Sequence, residues 1–321
     1  MNVGILGAGH ISMKVVRTLK QTEGINVYAV ASRSLEKAEA FASEFSIEKA
    51  YGSYEELVAD PLVDLIYVAT PNSHHFAHAS LAINAGKAVL CEKAFTANAR
   101  EARELAALAR EKKVYLAEAI WTRYMPMRAK LMEIIGSSII GRPRTLTSSL
   151  SYPMESKERI LRPELGGGTL LDLGVYNLNL ARMVFGTDIV KKDSIVIKSE
   201  TGVDMYETLV LQWKGGEVAN LMSGAFSRCN REALITGEEG YIVIENMNSM
   251  DAFRVYKNYK LIAEYKVEDR ISGYEYEFLA AKDAIEKGLT ESPYMPLDET
   301  VAIMEMMDSF RKDWGVVFPA D

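Results

Sequence analysis

The sequence predicts an α/β protein. A doubly wound parallel sheet comes first, followed by a C-terminal α+β domain built on a mostly antiparallel open sheet. Three observations carry this. Short apolar runs alternate with helical patterns six times between residues 2 and 119, the order of a parallel sheet with helices on both faces. From 194 to 266 the pattern becomes period-2 strands separated by glycine turns, which reads as antiparallel. Two helical stretches, 273–287 and 298–314, finish the chain. The boundary is placed at 119, giving domains 1–119 and 120–321.

Composition narrows the function classes. A chain of 321 residues suggests about two domains at roughly 150 residues each. Apolar residues make up 48% and charged residues 25%, as in ordinary globular proteins. The net charge of −7 argues against a nucleic-acid partner. No apolar run is long enough for a membrane span. No basic leader precedes the first strand, so no secretory signal is expected. Cys91 and Cys229 lack metal-ligand spacing, and a reducing, cytoplasmic setting is expected.

The first strand, Asn2–Leu6, runs into Gly7-Ala8-Gly9-His10-Ile11-Ser12 and then a helical pattern at 13–20. This is G-x-G-x-x-small between a strand and a helix. Gly7 permits the tight turn. Gly9 lets backbone approach a pyrophosphate whose charge sits at the helix N-terminus. Ser12 stands where Gly or Ala is usual and is small enough to pack. The turn, with His10 and Ile11, is therefore assigned to a dinucleotide, and the domain is read as a Rossmann fold. The second strand ends at Ser32-Arg33-Ser34, with no acid to take a ribose 2′-hydroxyl. Ser32 can hydrogen-bond a 2′-phosphate and Arg33 can pair with it and stack on adenine. NADP is thus preferred, with NAD possible. The alternative is a surface arginine that starts helix 35–44.

Ser53 and Glu56 form a capping box for a short helix. Strand 64–69 ends in Thr70-Pro71-Asn72-Ser73-His74-His75, with Asn72 or Ser73 expected to cap the next helix. His74, His75 and His78 cluster here. No nearby carboxylate or cysteine completes a ligand set, so no metal is expected. Residues 88–91 form a buried strand that ends in Glu92-Lys93, with Thr96 as the expected cap of helix 98–112. An apolar strand that turns ionic delivers a charge to the carboxyl edge of the sheet, where ligands bind in such folds. Lys93 is the first catalytic candidate. The alternative is a solvated lysine paired with Glu92. The sixth strand, 114–117, runs on into Glu118-Ala119-Ile120-Trp121-Thr122-Arg123. A helix at 127–135 and a strand at 145–151 follow. Beyond a polar segment with Lys157, Arg159 and Arg162, Gly166-Gly167-Gly168 opens a helix that continues through Asp172 and Tyr176 to about 185.

These motifs resemble the Gfo/Idh/MocA oxidoreductase family over nearly the whole chain. The landmarks are the glycine turn, Thr70-Pro71-Asn72 with His75, Glu92-Lys93, and the GGG-x-x-x-D-x-G helix. Arg33 and residues 118–123 make the chain most similar to the dimeric dihydrodiol dehydrogenase and NADP-dependent xylose dehydrogenase branch. The resemblance implies that Thr70, Pro71, Asn72, His75, Glu92, Lys93, Trp121 and Arg123 join the cofactor set. Two departures stand out. The family's Glu-Lys-Pro is Glu92-Lys93-Ala94 here, which leaves the turn freer. The histidine of inositol dehydrogenase-like members is Tyr176, which favours a Lys–Tyr pair over an Asp–His relay.

Asp172 and Tyr176, four apart, share one helix face and can look across a cleft at Lys93. Alcohol oxidation needs a hydride acceptor and a base for the hydroxyl proton. Free tyrosine ionises near 10, and a neighbouring ammonium lowers that value. Tyr176 is assigned as acid/base, Lys93 as its electrostatic partner and ligand to the substrate oxygen, and Asp172 as a positioning group. The reverse assignment, with Lys93 carrying the proton, stays open. The alternative for Tyr176 is ring packing. Trp121, Arg123 and Tyr176 suit a small polyhydroxylated ring with one apolar face, such as a sugar or cyclic diol. The expected function is hydride transfer between such a hydroxyl carbon and nicotinamide; the rival is a catalytically weak NADP-binding sensor or regulator. The C-terminal sheet has one face with no helix left to cover it, so a homodimer or larger homo-oligomer through that sheet is expected.

Overall fold

A computed structural model describes all 321 residues. Six parallel strands, β1 (Asn2–Leu6), β2 (Asn26–Ala31), β3 (Lys49–Tyr51), β4 (Leu65–Val68), β5 (Ala88–Glu92) and β6 (Leu116–Ala119), lie in the order β3-β2-β1-β4-β5-β6. The order reverses between β1 and β4, which puts a ligand crevice at their carboxyl ends. The helices α1 (His10–Leu19), α2 (Leu35–Phe45), α3 (Tyr54–Ala59), α4 (His75–Asn84) and α5 (Ala99–Lys112) connect them. Every residue of β4 is buried, as are Val89–Glu92 of β5. Burial on both faces is why these strands read as unbroken apolar runs.

The caps show where local chemistry decides. Ser34 accepts from the Lys37 amide and Ser53 from the Glu56 amide. Asn98, not Thr96, caps α5, accepting from the Glu101 amide at 2.9 Å. The Thr96 hydroxyl instead donates to the Asn98 carbonyl at 2.7 Å. Neither Asn72 nor Ser73 caps α4; a 3₁₀ turn, Asn72–His74, leads into it without a side-chain cap.

The chain divides into two units, one of Met1–Tyr124, Ile271–Met306 and Ala320–Asp321, the other of Met125–Arg270 and Met307–Pro319. A single cut at 119 therefore misses the return of the chain to the first unit. There α9 (Glu275–Glu286) buries Phe278, Ala281 and Ala284 in the same core as Val3, Ile5 and Leu65. The Phe278 ring meets Tyr67 of β4 edge-on, centroids 5.1 Å apart. The helix at 273–287 was legible, but periodicity does not say which sheet it covers.

The second unit holds α6 (Pro126–Gly136), β7 (Pro143–Ser151), α7 (Glu158–Leu161), α8 (Val175–Phe185) and β8 (Ile189–Lys198) to β14 (Lys260–Lys266). Between the last two come β9 (Asp204–Trp213), β10 (Val218–Gly224), β11 (Ala233–Gly237), β12 (Gly240–Glu245) and β13 (Ala252–Lys257). The eight strands lie in the order β14-β13-β12-β11-β7-β10-β9-β8, with only β7 and β10 parallel. On β9, Leu209, Leu211 and Trp213 are fully buried, while Gln212 is exposed and Val210 half-buried. The less buried side carries a concavity of about 490 Å³ lined by Thr147, Thr208, Asn220, Met222, Leu234 and Val243 among others. The last helix is α10 (Leu297–Trp314). No helix is long and apolar enough to cross a membrane.

Candidate active site

The turn after β1 is shaped for an anion. Gly7 has φ +111°, and a Cβ on it would stand 3.0 Å from the Ala69 carbonyl, so only glycine fits. Its amide donates to Ala31 O at 3.0 Å, and its carbonyl accepts the buried Ser12 hydroxyl. Gly9 is the N-cap of α1 and no side chain caps that helix. The first amides of α1 are therefore left for a ligand. A Cβ on Gly9 would meet nothing closer than 4.0 Å, which leaves open the space that a pyrophosphate needs. His10 is exposed and Ile11 half-buried beside it.

At the end of β2, Ser32 is buried and Arg33 exposed. Arg33 is close enough to act on Tyr54, His74 and His78, and it has no acidic partner. The histidines are occupied. His78 Nδ1 lies 2.9 Å from the Thr70 hydroxyl, and burial, then His74 and His75, push it down to about 4. His75 Nδ1 lies 2.8 Å from Ala94 O and its Nε2 lies 2.7 Å from Thr70 O. Burial pushes His75 down and the carbonyls oppose it. His75 thereby ties the Thr70-Pro71 loop to the turn after Lys93. That turn is not free as the missing proline suggested: Ala94 and Phe95 are fully buried.

Lys93 is half-buried at the carboxyl end of β5. Its amide donates to Glu92 Oε2 at 3.1 Å, and Glu92 Oε1 accepts the Tyr67 hydroxyl. Glu92, 7% exposed, thus braces the strand end that carries Lys93. Burial, then Glu92, hold the Tyr67 phenol well above its usual range. Glu277 on α9 lies near, buried, with neither carboxyl oxygen hydrogen-bonded. Burial, then Glu92 and Glu275, hold its carboxyl well above the usual carboxylate range. Trp121 stacks on Tyr274, centroids 4.6 Å apart. Arg123 is 6% exposed and its Nη2 is 2.9 Å from Glu299 Oε1, so its charge is matched within the first unit.

In the second unit the GGG segment does not open directly into an α-helix. Leu170–Gly174 forms a π turn, with the Val175 amide donating to Leu170 O, and α8 follows. Asp172 lies in the π turn and Tyr176 in the first turn of α8. Arg159 grips Asp172 through two bonds of 2.9 and 3.1 Å, a bidentate pair that fixes the carboxylate plane. Asn177, fully buried, bonds to Met222 O and Ser223 Oγ at 3.0 Å, fastening α8 to β10.

A family model described as the oxidoreductase family with an NAD-binding Rossmann fold matches residues 1–119, and the matching C-terminal domain model covers 129–243. Trans-1,2-dihydrobenzene-1,2-diol dehydrogenase of Mus musculus is 36% identical over 332 residues, covering 99% of this chain and 98% of that protein. The chain belongs to the Gfo/Idh/MocA oxidoreductase family. It is an NAD(P)-dependent oxidoreductase. The Homo sapiens dihydrodiol dehydrogenase is 34% identical over 99% of this chain and 98% of its own length. Among solved structures, the aldose-aldose oxidoreductase of Caulobacter crescentus superposes with a TM-score of 0.90, at 21% identity over 98% and 97% of the two chains. A 3-ketoreductase of Actinomadura kijaniata, solved with NADP and TDP-benzene, gives 0.87 at 22% identity over 97% of each. These two share the fold.

Within this family fold, sequence reasoning missed Tyr67, Glu277 and Arg159. Tyr67 could have been found, because a phenol inside an otherwise aliphatic buried strand needs a partner. Arg159 carries no local signal, since it reaches Asp172 from α7, 13 residues away along the chain.

Proposed function

We propose that this oxidoreductase prefers NADP and moves hydride between the nicotinamide and the hydroxyl-bearing carbon of a sugar or cyclic trans-diol. The observation that carries the reading is Lys93 at the carboxyl edge of the cofactor-binding sheet, in a chain aligned end to end with dihydrodiol dehydrogenases. The absence of an acid after β2, with buried Ser32 and exposed Arg33 in its place, supports the preference for a 2′-phosphate.

The amides at the start of α1 and the Gly7–Gly9 turn would hold the pyrophosphate, with Thr70, Pro71 and Asn72 joining the cofactor set. The cofactor supplies the hydride acceptor. Lys93 binds the substrate oxygen, Tyr176 takes the hydroxyl proton as the C–H bond gives up its hydride, and Asp172, oriented by Arg159, positions the substrate. The C–O bond gains its second bond from the O–H pair, so an alcohol becomes a carbonyl; reduction is the reverse. Trp121 offers its face to the ring of the substrate.

The reading extends to a homodimer through the open face of the second unit's sheet, supported by Met222, Leu234 and Val243 on that face. It also extends to a reducing, cytoplasmic setting, supported by two free thiols, Cys91 and Cys229. A screen of aldoses and cyclic diols with NADP and NAD, following absorbance of the reduced cofactor, tests the function. Turnover with a diol or sugar and NADP is expected. Tight NADP binding with no turnover on any polyol would replace this reading with that of a sensor.

A further inference from the structure

Asp172 lies in the π turn and Tyr176 just after it, and two acids of β9 bond to the residues that lead into that turn. Asp204 and Glu207 are both buried, at 1% and 0% exposure, and neither forms an ion pair. The Leu170 amide donates to Asp204 Oδ2 at 2.6 Å. The Thr169 hydroxyl lies 3.1 Å from the same oxygen and also bonds Glu207 Oε2. The glycines answer to these acids. Gly168, with φ +104°, would place a Cβ 2.3 Å from Asp204 Oδ1, and Gly174 would place one 2.9 Å from Glu207 Oε1. Gly168, two residues before the π turn, and Gly174, its last residue, thus each leave room for a carboxyl group where a methyl would stand.

We infer that Asp204 and Glu207, joined through Thr169, are positioning residues for the reaction: they hold Leu170–Gly174 in its π form and so set where Asp172 and Tyr176 stand. The inference rests on the reading of those two residues as part of the active site. Proton counting supports it. Thr169 has one proton and lies between two carboxyl groups, and a hydroxyl can donate once while accepting from another donor. A protonated Glu207 donates to Thr169, which donates to Asp204, which also accepts the Leu170 amide. Burial, then the Asp204 charge, push Glu207 well above the usual carboxylate range, opposed only by the Thr169 and Ser223 hydroxyls. The groups facing the pair are Thr169 and Leu170 from the turn and Ser223 from β10. No cation acts on Glu207. An α-helical turn in place of the π turn would draw the Val175 amide from Leu170 O to Leu171 O and rotate everything after it.

The test compares isosteres. Glu207→Gln stays neutral and keeps a donor to Thr169, whereas Glu207→Leu removes both oxygens. Glu207→Leu should lower kcat on the order of 10²-fold, the effect of misplacing reacting groups by about 1 Å, while Glu207→Gln stays within a few-fold of wild type. NADP affinity should be unchanged in both. Amide exchange of the 166–176 peptide should be protected in wild type and Glu207→Gln and accelerated in Glu207→Leu. Thr169→Val against Thr169→Ser repeats the comparison should Glu207→Leu not fold. Wild-type exchange and kcat in both Glu207→Leu and Thr169→Val overturn the inference, as does loss of kcat in Glu207→Gln equal to that in Glu207→Leu. Tyr176→Phe measured alongside separates the two claims. Wild-type turnover there sinks the reading of the site, while the exchange data still report on the clamp.

Discussion

Glu118→Gln should remove a pH dependence of stability that wild type carries. The carboxyl, at the end of β6, is 1% exposed and accepts the Thr300 hydroxyl at 3.2 Å. Burial pushes it up to about 7 from the usual 4.5, against the pull of Thr300 and Arg123 and with Glu92 adding to the rise. The folded chain therefore holds a proton that the unfolded chain releases. Stability from that proton is complete below about 4.5 and is lost as pH rises through about 7. Each pH unit between the two carries about 1.4 kcal/mol, so most of a loss of roughly 3 kcal/mol falls between pH 5 and 8. Glutamine is neutral throughout and keeps an acceptor for Thr300. Urea unfolding of both proteins at pH 5 and pH 8 should show the mutant gaining about 2–3 kcal/mol on wild type across that interval, with unchanged m-values. Titrating groups that do not interact with Glu118 cancel in the difference. Parallel curves for the two proteins would refute the reasoning, because Glu118 would then ionise alike in both states.

Other expectations test the site and the assembly. Arg33→Asp removes a charged hydrogen bond to the 2′-phosphate, worth about 1.5–3 kcal/mol, so NADP affinity by titration should fall at least about tenfold while NAD affinity does not. Tyr176→Phe keeps the ring and loses the proton carrier, and should cost about 10²–10⁴-fold in kcat with NADP binding preserved. Lys93→Met should cost a similar factor, and the double mutant much less than the product, since the two act as a unit; full additivity would separate them. Sedimentation at micromolar concentration should show a dimer, and Leu234→Arg on the open sheet face should yield a monomer.

Much of the first unit was legible because its determinants are local. Gly7 must adopt positive φ, Ser53 must cap, and β4 and β5 must stay apolar on both faces; each is a short-range requirement that one stretch of chain satisfies alone. The place of Lys93, just past the carboxyl end of an apolar strand, was legible for the same reason. Asn98 rather than Thr96 caps α5 because two polar residues this close can each cap, and only the path of the chain decides which does.

What the tertiary structure alone decided are pairings between segments far apart in sequence. Phe278 of α9 joins the first core, not the second. Arg159 closes on Asp172. Glu92 finds Tyr67. Asp204 and Glu207 meet Thr169 under a turn whose glycines look, in sequence, like a signature of their own. The residue types of these partners were visible, but hydrogen-bonding capacity is not an address. An amphipathic face or a buried acid states that a partner must exist, and only the folded chain determines which one fills the role.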